Sequence, residues 1–298
     1  MSEYSLEAIR QARKKKVLIK VLSVFGDDSS DEQGERIFAI AGIIGTQELW
    51  DLIEPKWLSR TGGIPFHATD CEADQGDYKD IAHDKNRELY KDLTQLLAHS
   101  GLFGFGVVID LVAYNTFVPH EYEDSPYMFC FCRVISHFAK KVFEFDKNAR
   151  VKFTFDTNPK IHYNAGYLYD NFLTNCKDWD FRSVLEDELG FATRKTVGIQ
   201  VVDLFAKEIM KRVDNEFGPV KRPIRKSFEV LKDTGRFYFD YYVQQWFKQF
   251  SKDLPSLQKL YRLEPERITK WLLNHKRSKL RGEDLVNYII DLDAGKIK

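Results

Sequence analysis

The 298-residue chain lacks most features that assign a protein at a glance. It has no apolar stretch of membrane-spanning length, which argues against a membrane span. Its four cysteines, Cys71, Cys130, Cys132 and Cys176, show neither zinc-ribbon spacing nor a small secreted disulfide framework. Cys130-Phe131-Cys132 reads as two packed core thiols, so a reduced, cytoplasmic protein is expected. The opening "MSEYSLEAIRQARKKK" mixes acids with a basic cluster. The apolar stretch behind it is short and broken by Lys20, which does not read as a signal peptide. There is no Gly-rich phosphate loop, no HExxH and no GxSxG. No internal repeat or low-complexity tract is visible.

Net charge is also missing: 45 Lys and Arg balance 45 Asp and Glu. The balance is uneven along the chain. Residues 219–298 carry 18 basic and 10 acidic side chains, a net +8, which leaves −8 for residues 1–218. Two ordinary solvated surfaces would satisfy this. So would an acidic metal site beside a basic, polyanion-binding extension. What the chain does have is apolar material, 43% hydrophobic with 23 Phe and 14 Tyr, enough for one large core or two smaller ones.

The hydrophobic pattern predicts a mixed sheet with helices, an α/β or α+β domain. Residues 5–16 read as a charged lead-in helix, 17–26 as a buried strand, and "RIFAIAGIIG" as its antiparallel return. A helix follows over 46–60, with Thr46 as cap and Pro55 marking a break, then "GGIPFHATDCE" as a loop or short strand. Helical spacing returns over 80–99, and 101–112 reads as a buried strand ending near Asp110. A long apolar helix starts near Pro126, and "VKFTFD" alternates as an interior strand. A possible short strand at "DFRSV" and an amphipathic helix over 197–213 complete the set. The texture changes after Asn215, which divides the chain into 1–16, a core over 17–216 and a helical, basic extension over 217–298.

Three acids fall where buried elements end or flank the core. Asp27 lies beyond the first strand, Asp156 ends "VKFTFD", and Asp203 edges the apolar stripe of Ile199, Val202, Ala206, Ile209 and Met210. Gln200 lies one turn before Asp203 on about the same side. Singly, Asp27 suits a turn, Asp156 a helix cap, and Asp203 a salt bridge to Lys207. If the two strands are neighbours and the helix crosses their ends, the three converge. Carboxylates that close repel unless a divalent cation lies between them, and hard oxygen ligands favour Mg²⁺ or Mn²⁺.

"VLSVFGDDSSDEQG", the interior "FTFD" and above all "VGIQVVDLFAKEI" resemble the bacterial family called domain of unknown function 3800. Its members open with a strand running into Asp-Glu-Ser-Gly and close their core with a helix reading about Gly-Leu-Gln-Leu-Ala-Asp-Leu. The stretch "PFHATDCE" also looks like a segment seen in some members. The resemblance spans about residues 17–213; Asp28 stands where the family has Glu, and Ser30 where it has Gly. It implies a ribonuclease-H-like fold with Asp27, Asp156 and Asp203 completing a site for two metal ions roughly 4 Å apart. In-line phosphodiester hydrolysis would follow, with no protein nucleophile.

Further candidates surround this trio. Asp70 or Glu72 would be a fourth ligand, with His67 moving protons, if "FHATDCE" is extended; a hydrogen-bonded loop is the plainer alternative. Asp110 ends another interior strand and suits either a ligand or a structural role. Asp28 is expected to face away from Asp27. His162, Tyr163 and Asn164 follow the Asp156 strand and would line a substrate path. In the tail, Lys221, Arg222, Arg225 and Lys226 form one basic cluster, and Lys276, Arg277, Lys279 and Arg281 another, suited to phosphates. Phe237, Phe239, Tyr242, Trp246 and Phe250 read as the buried face of a helix, and a homodimer interface is a third use of the tail. The leading expectation is a metal-dependent nuclease. The rival is a non-catalytic module of a defence or mobile-element system that binds nucleic acid or protein.

Overall fold

The computed structural model describes residues 20–118, 125–157, 165, 166, 168–170, 173 and 180–252. The lead-in helix, Cys176, His162, Tyr163, Asn164, Lys276, Arg277, Lys279 and Arg281 lie outside the described residues. Strand β1 (Val21–Ser30) pairs antiparallel with β2 (Ile37–Thr46), and β2 pairs antiparallel with β3 (Phe103–Asp110). On the other flank of β1 run β4 (Arg150–Asp156) and β5 (Gly190–Ala192), both parallel to it. The order β5-β4-β1-β2-β3 is that of a ribonuclease-H-like sheet. A sixth strand, β6 (Phe237–Tyr242), adds to β3 in parallel at the far edge.

Helices cover both faces. Helices α1 (Gln47–Thr61), α2 (Ala68–Ala73) and α3 (His83–Ala98) come before β3; α4 (Leu111–Phe117) and α5 (Pro126–Phe145) follow it. Helices α6 (Val197–Phe217) and α7 (Lys226–Asp233) come after β5. One core joins α5 to Val151, Phe153 and Phe155 of β4. The other joins α1, α3 and α6 to Ala39, Ala41 and Ile43 of β2. The strands therefore read as near-continuous apolar runs, because both faces are buried.

Several local expectations change. β1 continues through Asp27 and Asp28, because β2 keeps pairing as far as Ser30 with Phe38. The acids sit on the strand, not beyond it. Helix α1 runs unbroken through exposed Pro55. "FHATDCE" is helical rather than extended, and "DFRSV" is a 3-10 turn at Asp180–Val184. The largest correction concerns the tail. Phe237–Tyr242 was expected in a helix and is β6. Phe237 and Phe239 pack towards Phe205 of α6 and Phe228 of α7, whereas Tyr238 and Tyr242 meet His137 and Phe129 of α5. Aromatic side chains favour strands, but here they fill both faces, which hides the alternation. The change of texture after Asn215 thus makes no break in the sheet, and the aromatic helix occupies residues 244–252.

Helix α6 decides where the site forms. It lies directly on the sheet because glycines let it approach: a Cβ on Gly198 would fall 2.4 Å from the Phe25 ring of β1. Helix propensity alone makes Gly198→Ala stabilising by about 1 kcal/mol. The close approach reverses the sign, and we expect a net loss of about 1–3 kcal/mol in urea unfolding. A more stable variant would show that helix and strand are not in close contact.

Candidate functional site

The parallel register of β1 and β4 sets Gly26 opposite Phe155, so Asp27 and Asp156 are neighbours at one level. They also share a face. Phe25 turns towards Gly198 of α6, and Asp27 follows two residues later on the same side. On β4, Phe153 and Phe155 fill the opposite core, which turns Asp156 towards α6. Asp203 comes down from α6 and is 6% exposed. Asp27, Asp156 and Asp203 thus lie within electrostatic reach of one another.

Its electrostatics follow from crowding. Burial raises the Asp27 carboxyl well above the ordinary range, and Asp203, Asp28 and Asp156 add their repulsion; only the Asp28 N–H, donating to Asp27 Oδ1 at 2.8 Å, opposes them. Asp28 points to the other face, yet burial and the charges of Asp156 and Asp203 raise it to about 6. Asp203 is raised by burial and eased by His67, by the Ala68 N–H (2.7 Å to Oδ2), by Arg194 and by Lys207. Four carboxylates thus share one electrostatic site. Among the described residues, however, no three His, Cys, Asp or Glu side chains surround one point closely enough to ligate a metal as they stand.

Gln200 is fully enclosed and works as a clamp. Its Oε1 accepts from Trp57 Nε1 (2.9 Å) and Phe66 N (3.0 Å), and its Nε2 donates to the Arg194 carbonyl (2.7 Å). It therefore fixes the two loops that deliver Ala68 and Arg194 to Asp203. His67 Nδ1 lies 2.8 Å from Asp70 Oδ2, an ion-pair distance not aligned as a hydrogen bond, and Arg194 approaches the same carboxylate at 3.7 Å. Asp70 thus stays near the site.

Glu72 and Asp110 have other duties. The helical form of α2 separates Glu72 from Asp70, and Glu72 pairs with Arg225. Asp110 caps α4 by accepting from Ala113 N at 2.9 Å. It stands at the level of Asp31, two strands from β1 and away from Asp27. Arg225, expected on a phosphate-binding surface, is drawn inward: it bonds Glu72 and reaches fully buried Glu208 at 3.1 Å. Lys221, Arg222 and Lys226 are exposed.

Two groups of residues escaped the sequence reading. Glu208 accepts from Tyr90 Oη (2.6 Å) and Ser227 Oγ (2.8 Å) as well as pairing with Arg225. This network ties α3, α6 and α7 together, and removing one partner of so buried a pair costs about 3–5 kcal/mol. Asp31, buried, accepts from Arg36 N (2.9 Å) and Ile37 N (2.8 Å), while Arg36 bridges to Asp214 at 2.9 Å. Asp31, not Asp27, forms the turn. No local signal marked Glu208, which lies three residues before Lys211 and reads in the sequence as an ordinary helical ion-pair partner.

The fold defines a ribonuclease-H-like α/β protein with a carboxylate cluster formed within β1, at the end of β4 and on α6. No family model matches the chain, and no curated protein matches it. Among solved structures, similarity is found to a chain of the complex of PCNA and RNase HII from Archaeoglobus fulgidus, with 11% identity and a TM-score of 0.34, over 73% of this chain and 91% of that one. Among the described residues, no helix is long and apolar enough to cross a membrane.

The raised Asp28 carboxyl has a stability consequence. In the unfolded chain it ionises near 3.8, whereas the folded protein holds its proton up to about 6. Its contribution to stability is full below the unfolded value and is lost as pH rises through about 6. In chelator, Asp28→Asn is expected to match wild type at about pH 4 and to melt a few degrees higher at about pH 7.5, since about 1 kcal/mol moves Tm by roughly 2–4 °C. A gap in Tm that does not change with pH would contradict the crowding.

Proposed function

We propose that the protein is a divalent-metal-dependent phosphodiesterase acting on nucleic acid. The observation that carries this reading is the meeting of Asp27, Asp28, Asp156 and Asp203 on adjoining strand ends and one helix, where they repel one another. Clustered negative charge gives a phosphate binder nothing unless a cation is held there. The all-oxygen donor set suits Mg²⁺ or Mn²⁺. Asp27, Asp156 and Asp203 would hold the ion, and Asp28, on the other face of β1, would act on it through its charge. A bound ion would supply a Lewis acid and a water of lowered pKa.

The chain's own groups then have separate tasks. Asp203 commits Oδ2 to the Ala68 N–H, which orients the carboxylate and leaves its other oxygen for a ligand. The Asp28 N–H does the same for Asp27. Gln200 keeps both loops against Asp203, and His67, beside Asp70, would take or give a proton near a bound phosphate. The resemblance to the domain of unknown function 3800 family supports the same residues.

A second reading, a binding module without catalysis, draws on the surface after α6. Phe217, Val220 and Ile224 are exposed beside Lys221, Arg222 and Lys226, a mixture of apolar and basic groups suited to nucleic acid or a protein partner. A cleavage assay separates the two. Purified protein would be given single- and double-stranded DNA, RNA and an RNA–DNA hybrid with Mn²⁺, Mg²⁺ or chelator. We expect metal-dependent cutting that Asp27→Asn and Asp203→Asn reduce by at least about a hundredfold. Folded wild type that binds these substrates and never cuts them would favour the binding module.

A further inference from the structure

The loop between β5 and α6 runs beside the carboxylate cluster, and its backbone is held on both sides. Ala192, the last residue of β5, stands opposite Asp156 in the parallel register, and its carbonyl accepts from Thr157 N (2.9 Å) and Thr157 Oγ1 (3.1 Å). Arg194 follows two residues later. Its own carbonyl accepts from the enclosed Gln200 Nε2 at 2.7 Å, and Thr196 N donates to Thr193 O at 2.9 Å around it. The side chain is not held in the same way. It is 50% exposed, and among the described residues its guanidinium makes no hydrogen bond. Its ion pair with Asp70 spans 3.7 Å, and Asp70 already has His67 at 2.8 Å. A half-exposed pair of that length contributes little. Pairing with Asp70 therefore does not account for an arginine on so firmly placed a backbone. Its charge also reaches Asp203 and eases the ionisation of that acid, so the guanidinium lies on the cluster's side of the loop.

We propose that Arg194 is a substrate contact whose guanidinium grips the oxygens of a nucleic-acid phosphodiester at the edge of the carboxylate cluster. The identity of the ligand rests on the phosphodiesterase reading; the placement of Arg194 does not. A phosphate brought to four carboxylates meets repulsion even when a cation is bound. A guanidinium at the edge offsets that repulsion, and its planar fork matches a pair of phosphate oxygens, which an ammonium does not. Because Gln200 and the β5 register already fix the backbone, binding orders only the side chain, which keeps the entropic cost low.

The test uses the full chain, with wild type, Arg194→Gln, Arg194→Lys and Lys141→Gln. Lys141, paired with Glu144 on α5 across the sheet, controls for the loss of one positive charge. Binding of a short fluorescent single-stranded DNA or RNA oligonucleotide in Ca²⁺ would be measured over a range of salt, with melting in chelator to check folding. We expect Arg194→Gln to weaken binding about tenfold or more, the value of one charge-assisted contact. It should also make the fall of log affinity with log salt shallower by about 0.7, as expected for one lost phosphate contact on a single strand. Arg194→Lys should keep the wild-type slope and recover only part of the affinity, because the fork is gone. Lys141→Gln should match wild type in both. An arginine that only balances Asp70 and Asp203 would change the melting and leave the slope alone. An unchanged slope in Arg194→Gln, an equal loss in Lys141→Gln, or a folded wild type that binds no oligonucleotide overturns the contact. Wild type that binds through Arg194 but cuts nothing in Mn²⁺ overturns the catalytic reading and leaves the contact standing. Metal-dependent cutting with an unchanged slope does the reverse.

Discussion

Mutual repulsion among half-hidden carboxylates organises this molecule. Asp27 and Asp156 are neighbours because β1 and β4 run parallel in one register, and Asp203 joins them because α6 lies directly across the strands. Each acid makes the ionisation of the others harder, and burial adds to the effect. A fold maintained only for stability would gain by replacing one of them with an amide. The arrangement makes sense if charge is supplied from outside, as a cation does.

Helix α6 carries most of the supporting apparatus. Gln200 holds the loops before α2 and before α6 itself, Asp203 faces the site, and Lys207 lies one turn on. Glu208 turns to the other side and anchors Arg225, and Asp214 braces the β1–β2 turn through Arg36. Successive turns of one helix therefore connect the carboxylate cluster to the tail. Arg225 ties the basic segment into this system from within, while Lys221, Arg222 and Lys226 beside it are exposed.

Much of the arrangement was legible in the sequence where a single period governs it. "VKFTFD" alternates, so Asp156 could be placed on the face opposite Phe153 and Phe155. The apolar stripe of residues 197–213 put Asp203 at its edge. What failed had physical reasons. β6 carries aromatic groups on both of its faces, so it shows no apolar–polar alternation to read. "FHATDCE" is too short for helical periodicity to appear, so Glu72 and Asp70 were assigned one face that they do not share. The pairing of Arg225 with Glu72 and Glu208 joins positions far apart in the chain, and no local pattern announces it.

The central claim, that crowded and partly protonated carboxylates form a cation site, is tested most directly by the protons they release. Mn²⁺ would be titrated calorimetrically at about pH 6 in buffers of different ionisation enthalpy. Binding accompanied by net proton release, reduced in Asp28→Asn and lost with binding in Asp203→Asn, is the expected result, because the raised carboxyls must ionise to meet the metal. Absence of binding, or binding that releases no protons, would contradict the account.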